Sequence, residues 1–205
     1  WPLGYPRYFL FSDEKIFGAG DFREGMYVKP GERPVGRPKV KYPPTVHVWG
    51  CIGVGVRVLH RHGRVGSGKR GGITSVDYCD VLQKRLLPVV RRNPNFIFQQ
   101  DGAAIHRSTE TYSWFSKHDV DVLPDWPADS PDLNPIENMW ALVERALDQK
   151  TVHLLKNTKA NQDALWKIVE QTWKSIPMET VNNLVRSFHR RCEEVQQADG
   201  CWIRR

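Results

Sequence analysis

Asn95-Phe96-Ile97-Phe98-Gln99-Gln100-Asp101-Gly102 is the stretch from which the fold is read. A short apolar run bounded by turn residues reads as a buried strand, and this one runs into an acid. Upstream, Val76, Cys79, Leu82, Leu86 and Val90 recur at three- or four-residue steps, so Thr74 to Arg92 is predicted helical. Pro94 stops that run. Downstream, 106–117 reads as a helix and Val120-Asp121-Val122-Leu123 as a short strand. Helices interleaved with strands imply an α/β fold, a mixed sheet covered on both faces.

Further out, Tyr8-Phe9-Leu10-Phe11-Ser12-Asp13 is a second aromatic strand with an acid at its end. Gly18, Gly20 and Gly25 punctuate a hairpin-like stretch through Met26-Tyr27-Val28. Five prolines and two glycines make 29–44 a long extended loop. Thr45 to Leu59 returns to β-branched residues near period two, giving one or two strands that turn near Gly53 or Gly55. Gly63 to Gly72 is a second glycine-rich loop. After a proline-rich connection from Pro124 to Pro135, a helix is predicted from Asn134 to about Gln149, then two more over 159–175 and 178–197. The expected organisation is a core over 1–150 and a C-terminal helical extension of the same domain over 151–205.

The 205 residues are 40% hydrophobic and 11% aromatic, enough for a core. Thirty Lys+Arg against 23 Asp+Glu give a net charge of +7, which suits a polyanionic partner without choosing nucleic acid over an anionic membrane. No apolar run reaches the ~18 residues of a membrane span, and no signal-peptide pattern opens the chain. It starts at Trp1 without Met, so a preceding N-terminal domain is expected. Cys51, Cys79, Cys192 and Cys201 contain no C-x2-C pair, which argues against zinc and for reduced thiols in an intracellular protein.

Asp13 and Asp101 each close an apolar strand. If the strands are neighbours, two carboxylates converge at one edge of a sheet, where ligand sites of open α/β sheets commonly lie. Close carboxylates repel, and a divalent cation removes the conflict. A third acid from another element would complete the coordination. Asn134-Pro135-Ile136-Glu137 offers one, with Asn134 as cap, Pro135 at the first helical position and Glu137 in the first turn. Glu14, Asp21, Asp119, Asp121, Asp125, Asp129 and Asp132 compete, and pattern alone does not single out the triad. His106, five residues after Asp101 at a helix start, reads as a capping or packing histidine. Lys29, Arg33, Arg37, Lys39 and Lys41 in one loop, and Lys69 and Arg70 in the other, read either as solvated loops or as phosphate contacts that would position a polyanion without reading sequence. Trp140, Trp166 and Trp173 fall in helical patterns as core, whereas Trp126 lies in a loop with a base-stacking reading open to it.

Four blocks add a resemblance: Phe11-Ser12-Asp13-Glu14-Lys15, Val48-Trp49-Gly50-Cys51, Gln99-Gln100-Asp101-Gly102-Ala103 and Ser130-Pro131-Asp132-Leu133-Asn134-Pro135-Ile136-Glu137-Asn138-Met139-Trp140. In this order they resemble the catalytic domain of the mariner-like superfamily of DNA transposases. The last block is long and specific, and the tail Arg190-Arg191-Cys192 is similar too. Two departures stand out. The interval between Asp101 and Glu137 is one residue longer than the family's commonest, and mariner proper carries Asp where this chain has Glu137. The resemblance implies a ribonuclease-H-like fold, Asp13, Asp101 and Glu137 as catalytic metal ligands, and two Mg²⁺ ions for which Mn²⁺ substitutes. It also implies His106 as a DNA contact near the scissile phosphate, double-stranded DNA (transposon ends and target) as partner, a homodimer and a nuclear site of action. A domesticated DNA-binding descendant without catalysis, and a ribonuclease or repair nuclease on the same fold, are the competing readings.

Overall fold

The computed structural model describes residues 8–19, 42–63, 72–128, 130–151 and 156–201. The candidate DNA contacts Lys29, Arg33, Arg37, Lys39, Lys41, Lys69 and Arg70, and the hairpin through Val28, lie outside the described residues.

Four strands form one sheet in the order β3-β2-β1-β4. β1 (Phe9–Gly18) pairs antiparallel with β2 (Thr45–Gly53), which pairs antiparallel with β3 (Val56–Arg61). β4 (Ile97–Gln99) joins β1 in parallel over Phe9 to Phe11 only. The turn between β2 and β3 passes through Gly55 at φ 74, a left-handed conformation that suits glycine.

Asp13 does not end its strand. β1 runs on to Gly18 because β2 continues beside it as far as Thr45. What ends near Asp13 is the parallel partner, so the backbone edge facing β4 opens just before it.

Strand alternation divides the core between the two faces of the sheet. Phe9, Phe11, Phe17, Val46, Val48 and Ile52 pack with α4 (Ile136–Lys150), α5 (Lys159–Ser175) and α6 (Met178–Arg186). Leu10, Trp49, Cys51 and Phe98 face α1 (Ser75–Val81), α2 (Leu87–Arg92) and α3 (Thr109–His118). The C-terminal helices thus share a core with β1 and β2.

Three further elements differ from expectation. The helix predicted over 74–92 is interrupted by a π-helical segment, Leu82–Leu86, ahead of Pro88. Proline lacks an N–H and crowds the carbonyl four residues back, and the wider turn relieves both. The strand predicted over 120–123 shrinks to one parallel bridge, Phe98 to Val122. Asp119 before it is left-handed at φ 53, and Pro124 after it has no N–H to extend the pairing. The helix predicted over 178–197 breaks at Ser187 into α6 and α7 (Phe188–Gln197), where the Ser187 hydroxyl donates back to the Leu184 carbonyl at 2.7 Å. Among the described residues no helix is long and apolar enough to cross a membrane.

Candidate active site

Asp13, Asp101 and Glu137 line one cleft of about 410 Å³, together with Arg107, Trp126 and Asn134. They arrive from three elements: the middle of β1, the segment after β4 and the first turn of α4.

Ser12 ties the three together. Its N–H donates to Gln99 Oε1 at 3.2 Å and its hydroxyl to the Gln99 carbonyl at 2.8 Å, fixing β1 to the segment that carries Asp101. Its carbonyl accepts from Asn134 Nδ2 at 3.2 Å, fixing β1 to the turn that carries Glu137. Asn134 Oδ1 accepts from the Ile136 N–H at 3.3 Å. Asn134 was expected as the cap; the cap position itself falls one residue on, at Pro135, and Glu137 sits in the first turn of α4.

Asp13 is held from the α4 face. Trp140 Nε1 donates to Asp13 Oδ2 at 2.9 Å. The indole reaches that far because Gly50, directly opposite Asp13 in β2, has no side chain; a Cβ there would lie 2.3 Å from the Trp140 ring. Burial pushes the Asp13 carboxyl up to about 7, the charge of Glu137 adds to the rise, and the Trp140 hydrogen bond opposes it.

Asp101 is held from the opposite face. His106 Nδ1 donates to Asp101 Oδ1 at 2.5 Å, and Nε2 faces Glu14 Oε1 at 3.3 Å. The ring packs on Tyr78 with centroids 4.4 Å apart, and Tyr78 donates to Gln100 Oε1 at 2.8 Å. The His106 hydrogen bond holds the Asp101 carboxyl below its usual range. Burial alone would depress His106, but its hydrogen bonds to Asp101 and Glu14 and their charges outweigh that and raise it to about 9. His106 is only 2% exposed and precedes α3, which Ser108 caps. Its partners are therefore two carboxylates, and a direct phosphate contact is not what this geometry offers.

Among the described residues no three His, Cys, Asp or Glu side chains stand as a ready ligand group. The donor set nevertheless suits a hard divalent cation: it is all carboxylate oxygen, and it confines a carboxyl whose charge is suppressed beside another acid. Sequence reading missed Glu14, Trp140, Arg107 and Ser12 as supports. The alternation in β1 places Asp13 and Glu14 on opposite faces, a signal that would have separated their roles. Trp126, half-buried, stacks on Phe188 with centroids 6.0 Å apart.

A mixed sheet sandwiched by helices, with an acidic cleft beside its central strand, defines a ribonuclease-H-like enzyme. The profile described as DDE superfamily endonuclease matches residues 8–159. The chain belongs to that superfamily, in its mariner-like transposase branch. It is 32% identical over 203 residues to the Tc1 transposase of Caenorhabditis elegans, covering 93% of this chain and 68% of the relative. It is 35% identical over 204 residues to the Tcb1 transposase of Caenorhabditis briggsae, with the same coverage. Its fold is shared with a pre-cleavage Mos1 transpososome at TM-score 0.78 and 17% identity, over 98% of this chain and 58% of that one. A Mos1 paired-end complex with Mn gives 0.72 at 19% identity.

Proposed function

We propose that this chain cleaves DNA at transposon ends and joins the freed 3′-hydroxyl to target DNA, with Asp13, Asp101 and Glu137 as ligands of two Mg²⁺ ions. The observation that carries the reading is the convergence of three acids from three elements on one cleft, tied through Ser12. The divalent metals named for the Mos1 structures agree with it, as does the +7 charge of the chain.

When bound, paired divalent cations supply a lowered water pKa and neutralise the leaving oxygen. The protein's part is positional. Trp140 and His106 aim the Asp13 and Asp101 carboxylates, and Asn134 fixes the turn that presents Glu137. Arg107, exposed at the cleft wall, is placed to contact a neighbouring phosphate as a fork of donors. Hydrolysis and strand transfer are then one in-line chemistry with two nucleophiles, water and the 3′-hydroxyl, and no covalent protein–DNA intermediate is formed. Mn²⁺ substitutes for Mg²⁺ on the same ligands. The partners are double-stranded DNA and a second copy of the chain, and the site of action is the nucleus.

The test is nicking of duplex plasmid by the purified chain in Mg²⁺ or Mn²⁺. Wild type nicks and chelator stops it, while Asp13→Asn, Asp101→Asn and Glu137→Gln each lower the rate by more than roughly 100-fold, beyond the range for outer partners of a metal site. Variants that cut like wild type, or a preference for the RNA strand of an RNA–DNA hybrid, would refute the reading.

A further inference from the structure

We infer that Arg191, on α7, is a positioning residue for Glu137. The inference rests on the proposed role of Glu137 as a metal ligand.

Arg191 is 7% exposed, and each of its three guanidinium nitrogens donates to the protein. Nη1 donates to the Asp132 carbonyl at 2.8 Å, and Nη2 to Asn138 Oδ1 at 2.5 Å. These two acceptors flank Glu137, one in the turn that leads into α4 and one immediately after the acid. Asp132 and Asn134 in that turn are themselves buried at 6% exposure. Nε donates to Ser187 Oγ at 3.0 Å, so the break between α6 and α7 aims the guanidinium.

A buried cation is tolerated only when its donors are satisfied. A planar fork fixes direction as well as distance, which a lysine ammonium does not reproduce. The turn from Asp132 to Asn138 is therefore pinned on two sides. Asn134 ties it to β1, and Arg191 ties it to a helix more than fifty residues further along the chain. Glu137 has no hydrogen-bonding partner among the contacts described above that would orient its side chain as Trp140 orients Asp13. Its placement comes from its backbone, and Arg191 supplies one of the long-range ties that fix that backbone. A purely structural staple of α7 predicts something different: a general loss of stability with no effect confined to the turn.

The experiment uses the 205-residue chain, wild type, Arg191→Lys and Asn138→Ala. Amide hydrogen exchange is read without metal, and Mg²⁺-dependent nicking of duplex DNA is read separately. In Arg191→Lys the Glu137 and Asn138 amides exchange about tenfold faster or more, as expected for a lost buried charge-assisted hydrogen bond, while β1 and β2 amides are unchanged. Its nicking kcat falls roughly 10- to 100-fold at unaltered KM for DNA. Asn138→Ala keeps Arg191 and removes one of its acceptors; it moves the same two amides in the same direction, and decides the matter if Arg191→Lys does not fold. Unchanged exchange at both amides, or acceleration spread evenly through the chain, overturns the inference. Local loosening in a chain whose wild type does not nick DNA supports the anchor and sinks the nuclease reading instead.

Discussion

Asp13 and Asp101 are proposed to do the same work, yet the protein holds them in opposite ways. Asp13 is held against the α4 face by an indole N–H, and burial beside the charge of Glu137 makes its carboxyl retain its proton up to about 7. Asp101 stands at the open side of the cleft against a histidine that Glu14 supports from behind, and the His106 hydrogen bond holds its carboxyl below the usual range. The first support is a shape, made by the missing side chain of Gly50. The second is a charge pair. A metal site assembled this way starts with one carboxylate ready and one that must release a proton as a cation binds.

The largest expected effect comes from breaking the charge pair. His106→Ala removes the side-chain hydrogen bond that Asp101 accepts among the described residues and lowers metal-dependent nicking roughly 10- to 100-fold. Unaltered nicking would show that Asp101 needs no support. The shape-based support is broken by Gly50→Ala. Its Cβ would meet a fully buried Trp140 ring, and overpacking of this kind costs about 1–3 kcal/mol in thermal or denaturant unfolding. A smaller loss, with the Trp140 fluorescence unchanged, would mean that the ring moves freely.

The comparison is sharpest in its pH dependence. The folded-state pKa of Asp13 is raised, so the metal-free native state binds the extra proton and its stability falls as pH climbs from about 4 to about 7. Asp13→Asn removes that fall and raises the melting temperature of the metal-free protein at pH 8. Asp101 has a lowered pKa, so its contribution is present above the usual carboxylate range, and Asp101→Asn lowers the melting temperature at the same pH. His106 is raised to about 9, so its contribution is complete below about 6.5 and fades as pH rises through 9. Shifts of the same sign for the two asparagine variants would dissolve the contrast. The smallest effect is Ser12→Ala, which forfeits one side-chain hydrogen bond to the Gln99 carbonyl and costs about 1 kcal/mol in denaturant unfolding.

The sequence disclosed the parts of the site that depend on local pattern. The aromatic strand ending near Asp101 and the proline-led first turn holding Glu137 are local signals, and both elements form. The length of β1 was not legible, because the residues after Asp13 are ordered by pairing with β2, from Glu14 with Trp49 to Gly18 with Thr45, far along the chain. Gly50 beneath Trp140 was equally hidden, since a close approach between residues ninety apart leaves no periodic trace. The break at Ser187 eluded a reading that saw only a continuous amphipathic run, and with it went the reason Arg191 points inward. His106 could be marked as chemical from its place near Asp101, but its role depended on Glu14 emerging on the far face of β1.

The most direct test of the central claim is an anomalous difference map from crystals of the chain soaked in Mn²⁺. The account predicts a peak within coordination distance of Asp13 and Asp101 carboxylate oxygens, beside Glu137, with His106 still holding Asp101 Oδ1. Ordered Asp13, Asp101 and Glu137 with no peak among them at saturating Mn²⁺ would contradict it.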